Sequence, residues 1–173
     1  MRTRYRRLVP TVTSVALAVW AALATPAASP SQPSPQNDDL LLGTWLLDVS
    51  KSRYTPGPPP KSQTRTYEKH RLGIRATVKT VQADGRSTTV QTVYDFDNME
   101  HPVTGSEEVD AIVMKRIDAY TAEGTLTHAG REIGSLRRLI AKDGKSMTVT
   151  LQRMAPPANN VEVYEKVSEE VVR

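Results

Sequence analysis

Histidines, carboxylates and arginines are the side chains here that could do chemistry. The three histidines, His70, His101 and His128, lie far apart and next to turn residues, without the spacing of a metal-ligand set, and no cysteine is present to complete one. Glu107-Glu108-Val109-Asp110 gathers three acids but lacks the alternating oxygen spacing of a calcium loop, so it reads as a solvated acidic turn. The sequence contains no nucleophile elbow, phosphate-cradling glycine loop or dinucleotide fingerprint. The expectation is a non-enzyme with no cofactor and no metal.

More informative are arginines that fall into alternating apolar rows. Arg137 alternates with Ile133, Ser135 and Leu139, and Arg153 continues the row Met147, Val149, Leu151. If those rows face inward, a guanidinium enters the interior, where it needs an acid, a carbonyl, water or an anionic ligand. The other readings are an arginine packed over Trp45, or one at a strand end that reaches water. Together with Tyr67, Tyr94 and Tyr164, Arg137 and Arg153 are the candidate lining of a site for a small, partly polar or amphipathic ligand. Aromatic content of 5% and the many alternating threonines imply a wet pocket.

These residues sit on short runs with two-residue alternation, separated by turn residues about every ten positions, and no stretch sustains a helical period. Trp45, Leu47 and Val49 share one face of a first strand, Gly43–Val49. Prolines between Ser50 and Lys61 lack the amide hydrogen a ladder needs and imply a stiff connection. Further strands are expected over 63–70, from Ile74 (with Ile74, Ala76 and Val78 on one side) to the turn at Ala83–Arg86, and over 87–96, 109–117, 121–128, 132–141, 146–154 and 161–167, with a short one near Met99–Gly105. Asp84-Gly85 and Asp143-Gly144 are strong hairpin signals. The whole predicts an all-β fold, a single antiparallel up-and-down barrel of eight to ten strands, with a two-sheet sandwich as the alternative.

The N-terminus has a different character. Arg2, Arg4, Arg6 and Arg7 precede an apolar run, Val12–Ala24, that ends in small residues, the order of a cleavable signal peptide. The run is short against the roughly 20 residues of a bilayer span. Arg6-Arg7 is followed by Leu8-Val9-Pro10, a weak match to a twin-arginine signal, which leaves the export route open. The expected organisation is a signal peptide over 1–28, a flexible Pro/Ser-rich linker over 29–39, a barrel over 40–168 and a tail over 169–173. Formal net charge is +4, but removing those four arginines from the 23 basic residues leaves 19 against 19 acids. The mature part therefore lacks the basic footprint of a nucleic-acid binder. A periplasmic or secreted monomer without a membrane span after cleavage is expected.

Gly43-Thr44-Trp45, opening the first strand, and Val163-Tyr164-Glu165-Lys166-Val167, closing the last, resemble the two ends of the calycin superfamily, which includes lipocalins and fatty-acid-binding proteins. The wider run Gly-Thr-Trp-Leu-Leu-Asp-Val-Ser-Lys-Ser resembles a group of secreted bacterial lipocalin-like proteins of unknown function. The resemblance implies that a strand bent at Gly43 places Trp45 as a plug in one barrel end, while the last strand seals against the first. It brings no activity. Fatty-acid-binding proteins carry an arginine two positions before the last-strand tyrosine. Here that position is Glu162, so fatty-acid binding does not carry over.

Overall fold

A computed structural model describes residues 38–154 and 157–167. The expected signal peptide, all but the last two residues of the linker and the C-terminal tail lie outside these residues. Asp38 and Asp39, taken as the end of the linker, instead begin the short helix α1 (Asp38–Leu41). It is too short to cross a membrane, and no other helix occurs among the described residues.

Ten strands follow: β1 (Gly43–Arg53), β2 (Ser62–His70), β3 (Gly73–Val81), β4 (Ser87–Tyr94), β5 (Glu100–Thr104), β6 (Ala111–Arg116), β7 (Thr121–His128), β8 (Arg131–Ile140), β9 (Ser146–Met154) and β10 (Pro157–Lys166). Each pairs antiparallel with its sequence neighbours, and β1 pairs with β10, so the sheet closes into a barrel and the sandwich alternative is excluded. The up-and-down order of the neighbours follows from the hairpin chemistry. Gly85 and Gly144 take positive φ in the two Asp-Gly turns, whose bonds include Gln82 N–H to Arg86 O at 2.8 Å and Ala141 N–H to Ser146 O at 2.9 Å.

The β2–β3, β4–β5, β6–β7 and β8–β9 turns share one end with α1, which closes it. There Trp45 is 0% exposed, its Nε1–H donates to Leu41 O at 2.8 Å, and Lys166 Nζ lies 5.2 Å from the ring centroid. Gly43 has φ +115°, and a side chain there would press on Lys166, so only glycine lets the strand start with this bend. The β3–β4, β5–β6 and β7–β8 turns frame the opposite end, the mouth.

The wall is uneven. β4 and β5 share only two paired positions, Gln91 with Thr104 and Thr92 with Val103. Pro102 is the next residue along; it has no amide hydrogen to offer, and the ladder stops beside it.

A second irregularity lies in β1, where the register to β10 jumps between Asp48 and Arg53. Asp48 organises this bulge. Its Oδ1 accepts from the Ser50 hydroxyl at 2.6 Å and the Ser50 amide at 3.0 Å, and Lys51 Nζ lies 3.0 Å from Oδ2. These bonds, the Ser50 hydroxyl foremost, hold the Asp48 carboxyl at about 2, below its ordinary 3.8. Because the folded value is the lower one, Asp48 stabilises the protein above pH 4 and loses that contribution as pH falls towards 2. Asp48→Asn is expected to flatten the stability profile in this window, measured by urea unfolding across pH. An unchanged acid slope would show that the bulge does not depend on the carboxylate.

Candidate functional site

The lumen holds a cavity of about 560 Å³. Its middle is mainly aliphatic, with Val78, Val90, Leu136 and Leu151 among its walls beside Gln63, Arg65 and Thr80, while Tyr67, Tyr94 and Arg138 lie towards the closed end and Arg86, Glu108 and Arg153 towards the mouth. This order follows from the register. Tyr94 ends β4 at the closed end, Thr88 lies six residues away near the mouth, and Arg153 is close to the mouth end of β9.

The structure brings some of the expected site residues together and separates others. Tyr67 and Tyr94 are buried and line the lumen, and the row Met147, Val149, Leu151, Arg153 faces inward. Arg153 forms an ion pair with Glu108 of the β5–β6 loop, across the mouth, and its side chain is only 13% exposed.

Arg137 is a correction. It points outward, pairs with Glu123 and sits in a groove on the outer wall with Lys115 and Gln152. The lumen arginine of β8 is its neighbour Arg138, which sequence reasoning missed. Ile133 is the unpaired residue of a β7–β8 bulge and packs against the core, whereas Leu139 is half exposed. Gly134, Leu136, Arg138 and Ile140 form the inward row.

Tyr164 is also displaced from its expected role. It is completely buried and does not itself line the cavity; its hydroxyl belongs to a network whose members Arg65 and Gln63 do. Arg65 Nε donates to Tyr164 Oη at 2.7 Å, Arg65 Nη2 meets Glu162 Oε2 at 2.8 Å, and Tyr164 Oη–H donates to Glu162 Oε2 at 2.6 Å. Glu162, the residue that departs from the fatty-acid-binding pattern, therefore neutralises Arg65. Burial opposes the Arg65 charge, but Tyr164 and Glu162 outweigh it and hold the guanidinium well above its ordinary value. Burial pushes the Tyr164 phenol well up, so it remains a protonated donor.

Arg138 has no such counter-charge. It is 5% exposed, donates from Nη1 to Tyr94 Oη at 2.8 Å, and its guanidinium carbon lies 5.4 Å from the Tyr67 ring centroid and 5.8 Å from that of Phe96. No acid among the described residues pairs with it, and an arginine cannot shed its proton to escape the cost of burial. Burial pushes the Tyr94 phenol up, so it too stays protonated.

A surface depression of about 760 Å³ lies outside the wall where β4 and β5 part. Two of its polar groups satisfy each other: His101 Nε2 lies 2.9 Å from Asp97 Oδ1, and this hydrogen bond holds the Asp97 carboxyl below its ordinary value, while Arg71 and Arg75 also line it. No three metal-ligating side chains cluster among the described residues. The lumen, with its enclosed mixed lining and one uncompensated cation, is the stronger candidate. No protein-family model, curated protein or solved structure matches this chain.

Proposed function

We propose that this chain is an exported, non-enzymatic binding protein that holds a small, partly polar or amphipathic ligand inside its barrel. The observation that carries this reading is the unfilled lumen. Eight strands enclose a space that side chains can just fill, and ten enclose more. The 560 Å³ left here falls within the roughly 300–1,000 Å³ of ligand sites. An interaction module of the cell envelope with a filled barrel is the alternative, and the cavity weighs against it. The arginine-led, apolar N-terminal segment supports export to the periplasm or beyond.

Native mass spectrometry of the protein isolated from its own periplasm tests the reading directly, with a bound small molecule as the expected result. A second test needs no knowledge of the ligand. Val90 lines the cavity on β4, so Val90→Phe fills space without touching a charge. The variant is expected to lose at least about tenfold in affinity for the neutral fluorophore phenylnaphthylamine, with stability changed by less than about 2 kcal/mol. Equal binding by wild type and variant would place the fluorophore outside the lumen and refute the proposal.

A further inference from the structure

The two ends of the cavity differ in a way that constrains what can occupy it. At the inner end the polar groups are donors. The Arg138 guanidinium carries its charge without an acid, and its Nε–H has no acceptor. Thr92 Oγ1 is buried without a partner, and the Tyr94 hydroxyl accepts from Arg138 while its own proton is unclaimed. The Tyr67 hydroxyl adds a further donor beside the same guanidinium. Buried donors without acceptors are costly, and a buried cation without an anion more so. An anion at this point would relieve both deficits.

At the mouth the deficit is smaller. Arg153 is already neutralised by Glu108, yet its Nε is buried and unpartnered. An acceptor suffices there, and a second full negative charge would face Glu107 and Glu108. Between the two ends the wall is mainly aliphatic, and its polar groups there already have partners: Arg65 is neutralised by Glu162, and Gln63 bonds Thr80. Six residues separate Tyr94 from Thr88 along β4, a span of roughly 15 Å on the barrel axis after allowing for strand tilt.

From this we infer that the lumen takes an elongated organic anion, with a single acid group seated at Arg138, an apolar body, and an uncharged hydrogen-bond acceptor at the mouth beside Arg153. The inference rests on the reading of the lumen as a ligand site and adds the ligand's charge, polarity and direction. A plain apolar chain would leave Arg153 Nε unsatisfied, and a neutral chain would leave Arg138 uncompensated.

The experiment uses the full chain and three matched probes, ω-hydroxydecanoate, decanoate and decanediol, titrated by calorimetry and by displacement of phenylnaphthylamine. ω-Hydroxydecanoate is expected to bind at least about tenfold tighter than decanediol, and several-fold tighter than decanoate. Arg138→Gln should abolish the preference for acid over diol while leaving decanediol affinity within about twofold, and Arg138→Lys should restore part of that preference. Arg153→Gln should remove only the advantage of the terminal hydroxyl. If the Arg138 variants fail to fold, the wild-type ratios decide alone. Decanediol binding as tightly as the hydroxy acid, or a preference that survives Arg138→Gln, overturns the inference while the lumen remains a ligand site. Failure of phenylnaphthylamine and all three probes to bind overturns the ligand-site reading itself, and the inference with it.

Discussion

Glu162→Ala should lower the unfolding free energy by about 3 kcal/mol, because it leaves Arg65 as an unpaired, largely buried charge on the inner side of the barrel. The Glu162 side chain is 5% exposed and that of Arg65 only 16%, so water can replace little of the lost carboxylate. Tyr164 is also left without one acceptor for its hydroxyl. The cost belongs to the broken pair, not to the absence of charge as such. Arg65→Leu combined with Glu162→Leu should therefore recover most of the stability, since apolar pairs of similar volume commonly match or exceed buried ion pairs. Urea unfolding of the two variants at neutral pH decides the matter. A single-variant loss below about 1 kcal/mol would mean that solvent screens the pair as it does at a surface.

Trp45→Ala should be comparably severe, about 3–5 kcal/mol, by emptying the packed floor of the barrel. The ring is wholly buried, and three separate pieces of chain converge on it: Leu41 at the end of α1, Arg65 opposite it in the β1–β2 register, and Lys166 at the end of β10. The change removes buried surface and the Nε1–H bond that fastens α1. Trp45→Phe separates the two effects, since it retains most of the ring but not the donor; roughly 1–2 kcal/mol should be lost. Thermal and denaturant unfolding measure both. If alanine costs no more than phenylalanine, the floor collapses around the gap and Trp45 is not the plug.

Much of this fold is readable from the chain because its signals are local. The Asp-Gly pairs at 84–85 and 143–144 set their turns, and β7 and β9 occupy the residues that alternation assigns to them. The misreadings have physical causes. β1 runs on to Arg53 because the proline-dense part of the connection begins only at Pro56, and β10 starts at Pro157 because a proline at the first position of a strand removes a donor the ladder can spare. On β8 the two faces are compositionally alike: Ile133, Ser135, Arg137, Leu139 against Gly134, Leu136, Arg138, Ile140. Each row holds two aliphatic residues and one arginine, and the bulge at Ile133 pulls an outward-phase residue onto the core. Only cross-strand register settles which arginine enters. The Arg65–Glu162 pair was beyond reach for another reason, since its members lie 97 residues apart and meet only once the barrel has closed. Glu162 looked like a lost anchor, yet it is half of a neutral pair.

The missing amide of Pro102 has an effect that reaches beyond local pairing. Where β4 and β5 separate, Thr92 borders both the lumen and the outer groove, so one side chain stands between the inside of the vessel and the surrounding liquid. A flask with a single neck must pass its contents in both directions through that neck. Here the wall beside the inner end thins to one threonine, so a shift of Thr92 and its paired neighbour Val103 would be the shortest second way out.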